Sequence, residues 1–173
     1  KALLSKFGGL SMVGYYEMAS KMILQLRALL VSAYQVLVPA IANLQEKAPE
    51  KIRHIYLTSY RLLFYLSIPL FSLIIAFIPT ISKIWIGHYE KVFIIFGTLL
   101  AIGWLLNILN VPAYFVYLGT GKLLYNVISH ITIGLLNAGL GYLLGIFYGG
   151  IGIVIGWVIS LAIGSSVICI SYH

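Results

Sequence analysis

The sequence predicts an all-α integral membrane protein, a bundle of about five transmembrane helices. Of its 173 residues, 61% are hydrophobic and only 9% are charged, and aspartate is absent. Soluble domains carry roughly a quarter charged residues, so this chain has too few for a water-facing surface of its size. In lipid, each backbone polar group needs a partner within its own segment, which favours helices. The apolar runs reach about 20 residues without period-two alternation, which argues against a β-barrel.

Five apolar segments, each long enough to cross about 30 Å of hydrocarbon, follow one another along the chain. They are segment A, about 13–44; segment B, about 62–82; segment C, about 92–118; segment D, about 123–148; and segment E, about 151–172. Their connections are short, which predicts that neighbouring segments run antiparallel. The longest connection, 45–61, has Ile52, Ile55 and Tyr56 at helical spacing, which predicts a short surface helix leading into segment B.

The net charge of +7 comes from basic residues that are scattered and mostly flank the apolar segments. This position is typical of topology determinants and headgroup contacts, so we expect membrane lipids as partners and no nucleic acid. The positive-inside rule predicts that the 45–61 connection and the C–D connection are cytoplasmic. The preference is small, because five basic residues lie on that side and four on the other: Lys47, Lys51, Arg53, Arg61 and Lys122 against Lys1, Lys6, Lys83 and Lys91.

Segment A has a polar face. On a helical wheel drawn at about 100° per residue, Glu17, Lys21 and Gln35 share one side and Arg27 lies on its flank. A basic side chain facing lipid at mid-bilayer costs about 2.5–3.5 kcal/mol, so this face should look into a bundle interior or a wet cavity. Glu17 and Lys21 could also form a simple i,i+4 pair near the membrane edge. Arg27 lies deeper and is the best single candidate for a functional charge.

Segments C and D carry further polar side chains that could line the same cavity. Asn107 lies on a polar side of segment C, and Asn126 and His130 lie on a stripe along segment D. A single Asn within a span often only bridges two helices. Three helices with coherent polar faces predict instead a hydrated, positively biased cavity for hydroxyl-rich or anionic cargo.

No motif predicts catalysis, a metal or a cofactor. The sequence has no HExxH, no GxSxG and no phosphate-binding glycine loop between strand and helix. Cys169 is the single cysteine, and the histidines are too far apart to form a ligand set defined by spacing. We therefore expect no enzyme activity.

In segment E, Gly152, Gly156, Ser160 and Gly164 recur every four residues, which predicts close packing against a neighbouring span.

A series of short motifs along the whole chain resembles the polysaccharide repeat-unit flippases of the multidrug/oligosaccharidyl-lipid/polysaccharide exporter superfamily. Their order and spacing carry the resemblance. The motifs are Ser5-Lys6-Phe7-Gly8-Gly9-Leu10, Val13-Gly14-Tyr15-Tyr16-Glu17-Met18-Ala19, Val38-Pro39, Ile84-Trp85-Ile86-Gly87, Asn110-Val111-Pro112, Gly119-Thr120-Gly121-Lys122 and Tyr148-Gly149-Gly150-Ile151-Gly152.

The resemblance implies a transporter of two six-helix lobes, of which this chain is most of the second, C-terminal lobe. An N-terminal lobe of the same full-length protein is then the expected partner. The family moves undecaprenyl-diphosphate-linked oligosaccharides, including O-antigen units of lipopolysaccharide, across the bacterial or archaeal cytoplasmic membrane by alternating access. The resemblance does not supply the candidate site residues, which follow from the helical-wheel argument.

Other functions stay open at this point. A drug or peptidoglycan-precursor exporter of the same superfamily is the nearest alternative, although a cation-coupled drug exporter should have an acidic site and only Glu17 lies within a span. An integral-membrane enzyme of polysaccharide assembly would be expected to have a large exterior loop. A non-catalytic scaffold would not need polar stripes on three spans.

Overall fold

The computed structural model describes residues 2–172, and every regular element among them is an α-helix. Lys1, which was counted among the basic residues that flank the spans, and His173, one of the histidines, lie outside the described residues. The helices are α1 (Ala2–Gln35), α2 (Leu37–Lys47), α3 (Glu50–Ile86), α4 (Lys91–Ile108), α5 (Val111–Gly119) and α6 (Leu124–Tyr172). The predicted all-α class is confirmed.

Four stretches within residues 2–172 are long and apolar enough to cross a membrane: Ala2–Lys47, Glu50–Ile86, Lys91–Ile108 and Leu124–Tyr172. The last contains 49 residues. At 1.5 Å per residue a straight helix of that length would extend about 73 Å, more than twice the hydrocarbon thickness. It is instead bent at Gly149 into two limbs, 124–148 and 150–172, which correspond to predicted segments D and E. The chain is therefore a multi-pass membrane bundle.

The bend in α6 depends on a glycine. Gly149 has φ 59° and ψ −141°, a conformation that side chains with a Cβ rarely adopt. The two limbs then run antiparallel and touch closely, since the Ser129 hydroxyl donates a 2.6 Å hydrogen bond to the Gly164 carbonyl. Gly156 is equally close to the other limb: a Cβ there would lie 2.9 Å from the Gly141 nitrogen. The small residues of segment E thus pack against segment D.

Helix α4 is the centre of the bundle, because it packs against α1, α3 and α6. Glycines on α4 allow two of these contacts. A Cβ at Gly97 would lie 3.1 Å from the Ile78 side chain of α3, and one at Gly103 would lie 3.1 Å from Val158 in the second limb of α6. The main hydrophobic core surrounds α4 and includes Phe93, Phe96 and Leu100, all fully buried.

Two predicted segments differ in detail from the observed helices. The predicted surface helix before segment B is the first part of α3, which begins at Glu50 and continues to Ile86 without a break. Segment C, in contrast, is interrupted between α4 and α5. Pro112 has no N–H to continue the helical ladder, and the Asn110 N–H bonds to the Asn107 carbonyl, three residues back. In a regular helix the Asn110 N–H would bond to the Leu106 carbonyl. Here the Asn110 side-chain amide donates to that carbonyl instead, at 3.0 Å.

Ser82 ties the connection between α3 and α4 together. Its hydroxyl donates to the His88 carbonyl at 3.0 Å and accepts from the Glu90 N–H at 2.9 Å. Ser82 is fully buried, while the Glu90 carboxylate caps α4 by accepting from the Val92 N–H at 3.2 Å. The serine therefore satisfies two backbone groups that no helix pairs.

Replacing Ser82 with alanine should lower the free energy of unfolding by about 1–3 kcal/mol, because both backbone groups lose their partner inside the protein. Thermal unfolding of the purified protein in detergent measures the effect. Ser72→Ala is the matched control, since Ser72 is exposed on the same helix. Equal melting temperatures for the two variants would contradict the proposed role of Ser82.

Candidate functional site

A cavity of about 190 Å³ opens where α1, the α4–α5 break and both limbs of α6 meet. Apolar side chains of the same helices form part of its wall. The polar residues that line it are Arg27, Asn107, Asn110, Tyr114, Ser129, His130 and Ser165. These residues come from four helices, so the cavity depends on the tertiary packing of the bundle.

Arg27 provides the positive charge of the cavity. Its guanidinium carbon lies 4.5 Å from the centre of the Trp104 ring, and Trp104 in turn meets Trp157 edge to face at 5.3 Å. This cation–π contact partly offsets the loss of water around the charge. Within residues 2–172, Arg27 forms no salt bridge, and its Nε and the Trp104 Nε1 are buried without a hydrogen-bond acceptor. The charge is held in place but is not neutralised.

The break between α4 and α5 supplies amide groups to the same cavity. The Asn110 amide reaches across to the Ser165 hydroxyl at 3.3 Å, in addition to its bond to the Leu106 carbonyl. One turn earlier, the Asn107 Oδ1 is buried and has no hydrogen-bond donor among residues 2–172. The cavity thus combines the charge of Arg27 with amide, hydroxyl and imidazole side chains, a combination suited to a ligand with both hydroxyl and anionic groups.

His130 and Asn126 belong to the first limb of α6. The His130 ring lines the cavity and meets the Tyr114 ring edge to face at 6.1 Å. Asn126 lies one turn before it, buried, and donates to the Tyr114 carbonyl at 3.3 Å. Its Oδ1 is buried without a partner in the described part of the chain. Asn126 therefore supports the position of Tyr114 and does not line the cavity.

The structure brings together three of the seven predicted site residues, Arg27, Asn107 and His130. The other predicted site residues of segment A do not line the cavity. Lys21 and Gln35 are exposed, and Glu17 is half-buried about 15 Å along the helix from Arg27. Helix α1 packs through the flank that carries Arg27, so within residues 2–172 the rest of the polar face does not look into the interior of the bundle. The expectation that it borders a wet cavity stays a prediction. The middle of the polar face stays open to the outside of the bundle.

Four polar residues that line the cavity were not among the predicted site residues: Asn110, Tyr114, Ser129 and Ser165. Asn110 directly precedes the Val111-Pro112 pair, and an Asn before a helix-breaking proline within a span could have indicated a site. Ser165 has no comparable pattern around it. Its hydroxyl donates to the Leu161 carbonyl on its own helix, which is a common arrangement for any serine in a span.

Comparison with known families finds a match in the first half of the chain. A sequence model for a family described as polysaccharide biosynthesis protein matches residues 1–91. The match covers α1, α2 and α3 and therefore includes Arg27, while Asn107 and His130 lie beyond it. No curated protein and no solved structure matches the chain.

Proposed function

Because this chain belongs to the polysaccharide biosynthesis protein family, we propose that it moves lipid-linked oligosaccharides from one leaflet of a membrane to the other. The cargo would be repeat units, such as those of O-antigen, carried on undecaprenyl diphosphate. The membrane would be the cytoplasmic membrane of a bacterium or archaeon. In this role the protein binds and releases its cargo and is not an enzyme.

The observation that carries the proposal is the Arg27 charge, which no described residue neutralises. An ionised group within a membrane bundle is costly unless it has a counter-charge. Only four acidic residues occur in the whole sequence, so a counter-charge from cargo is a natural solution. A diphosphate suits a guanidinium well, because its oxygens accept two parallel hydrogen bonds from the planar fork.

The polar groups around Arg27 suit the sugar part of the same cargo. Further polar side chains line the cavity, namely those of Asn107, Tyr114, Ser129 and His130. The cavity of about 190 Å³ is smaller than the roughly 300–1,000 Å³ typical of ligand pockets. It would therefore hold the diphosphate and part of the sugar attached to it, and not the whole oligosaccharide.

The exposed polar face of α1 could border the space that holds the remainder of the cargo. Lys21, Gln25, Ser32 and Gln35 are all exposed along a helix that is long enough to cross the membrane. Lipid would reject such a face, which supports a second wall opposite it. We propose that this wall is the N-terminal lobe of the same protein and that the two lobes give alternating access to the cargo.

Two other functions make different predictions. A drug exporter, or an exporter of peptidoglycan precursors, would use the same fold. A cation-coupled drug exporter should have an acidic site, and none of the four glutamates lines the cavity. A membrane enzyme of polysaccharide assembly would act on repeat units that had already crossed the membrane. These differences define the experiment.

The test is disruption of the gene, followed by separate measurement of lipid-linked oligosaccharide in each leaflet and of polysaccharide at the cell surface. A flippase predicts loss of surface polysaccharide and accumulation of cargo in the cytoplasmic leaflet, with both restored by the intact gene. Accumulation in the outer leaflet would indicate an assembly enzyme and refute the proposal. Normal surface polysaccharide with increased sensitivity to cationic drugs would indicate a drug exporter and refute it equally.

A further inference from the structure

A second polar region lies at the opposite end of α5 from the first cavity, where the α2–α3 and α5–α6 connections meet. Two cavities of about 310 Å³ and about 400 Å³ adjoin there. Both are lined by Arg53 of α3 and Tyr172 of α6, and the first is also lined by Lys122 from the α5–α6 connection. None of the residues that line the cavity around Arg27 lines either of these.

Two cations from different elements thus share one concave surface. Arg53 and Lys122 are both exposed and form no salt bridge within residues 2–172. Glu46 and Glu50 lie on the same connection but line neither cavity. Among the described residues this surface carries two cations and no carboxylate in its wall, which favours an anionic ligand.

Aromatic rings form the floor between the two cations. Tyr56 is 2% exposed and Tyr117 6% exposed, and the Tyr172 ring lies 4.2 Å from the ring of Tyr56 and 6.0 Å from that of Tyr117. The Tyr117 hydroxyl is within 3.0 Å of the Ser171 hydroxyl. These contacts hold the floor rigid, and amphipathic rings of this kind settle at the depth of lipid headgroups.

Exposed apolar side chains flank Lys122. Leu118 precedes it and is 37% exposed, and Leu124 follows it and is 66% exposed. Leu124 is the first residue of a candidate membrane helix, and Leu118 lies near the end of α5, so a bound lipid would place the start of its acyl chains beside them. A free inorganic anion would make no use of these leucines, whereas a lipid would contact the cations and the leucines together.

We propose that this surface, which we call the Arg53–Lys122 site, binds the phosphate of a lipid headgroup. Arg53 and Lys122 contact the phosphate oxygens, the tyrosine floor holds the polar part of the headgroup, and the leucines beside Lys122 contact the acyl chains. The site depends only on the membrane location of the chain, so it stands even if the proposed transport activity does not.

The test measures binding of dioctanoyl-phosphatidylglycerol to the protein as its gene encodes it, purified in a nonionic detergent, by the lipid-dependent shift in melting temperature. The variant Arg53→Gln/Lys122→Gln should bind the lipid about tenfold more weakly or worse, because both charge-assisted contacts are lost. The control Lys83→Gln/Lys91→Gln removes the same charge at the other end of the bundle and should bind within about twofold of the wild type. Both variants change exposed residues, so their melting temperatures without lipid should match the wild type.

Two further arms separate the possible sources of the phosphate. Glycerol 3-phosphate and inorganic diphosphate at the same concentrations should produce little shift, since they lack the acyl chains. If either matches the lipid, the site takes free phosphate and the proposal of a lipid site is overturned. Equal weakening in the two double variants would also overturn it, because binding would then follow net charge and not this surface.

Discussion

Replacing Arg27 with alanine should abolish export of polysaccharide while leaving the protein inserted in the membrane. The proposed cargo loses the half-buried cation that would bind it in the cavity, and truncating one member of a desolvated charged pair typically costs about 2–5 kcal/mol. This corresponds to a decrease in transport of about thirtyfold or more. Folding should be affected far less, because alanine removes an unneutralised charge and only the stacking on Trp104, worth about 1 kcal/mol, is lost.

The measurement compares surface polysaccharide and leaflet distribution of the cargo with the amount of protein in the membrane. Arg27→Lys should retain part of the activity, since it keeps the charge and loses the planar fork and the stacking geometry. Arg61→Ala is the matched control, an exposed arginine that lines no cavity described above. Full export by Arg27→Ala, at normal protein levels, would refute the proposed role.

Replacing Gly156 with valine should prevent the two limbs of α6 from packing. A Cβ at Gly156 would lie 2.9 Å from the Gly141 nitrogen and 3.1 Å from the Gly141 Cα, and neither backbone atom can rotate away. Forcing extra atoms into a packed interior costs about 1–3 kcal/mol even where side chains can yield. We expect a larger loss here, seen as a low yield of folded protein and a melting temperature well below the wild type.

Gly139→Val gives the matched control for this prediction. Gly139 lies in the other limb of α6, and a Cβ there would meet nothing within 4 Å. Both variants make the same change in helix propensity and hydrophobicity, so they differ only in what the new side chain touches. Similar yields and melting temperatures for Gly156→Val and Gly139→Val would show that the close approach of the limbs is unimportant.

The fold class could be predicted because it depends on the charge content of the chain and on the length of its apolar runs, both of which can be counted from the sequence. The scarcity of charge and the length of the apolar runs require helices in lipid whatever the tertiary arrangement. The packing role of Gly156 and its neighbours could also be predicted, since spacing four places small residues on one face. These features need no knowledge of which helix lies beside which.

The candidate site was predictable only in part, because it depends on which flank of each helix faces a neighbour. A helical wheel placed Glu17, Lys21 and Gln35 at the centre of the polar face, but α1 packs through the side that carries Arg27. The wheel also cannot show that the Arg27 charge stacks on Trp104. Asn110 likewise reaches Ser165, which is 55 residues away in sequence, and such a contact has no local pattern.

The bend at Gly149 also has a consequence for biogenesis. Between Leu124 and Tyr172 there is no Asp, Glu, Lys or Arg, so neither limb carries a residue that would retain it on one side during translocation. The limbs are joined without a hydrophilic loop, and they can leave the translocon together as one unit. At the base of the hairpin, Lys122 is the basic residue next to the first limb, and it favours one side of the membrane for that end. Residue 172 accordingly returns to the face of the membrane on which Lys122 is retained.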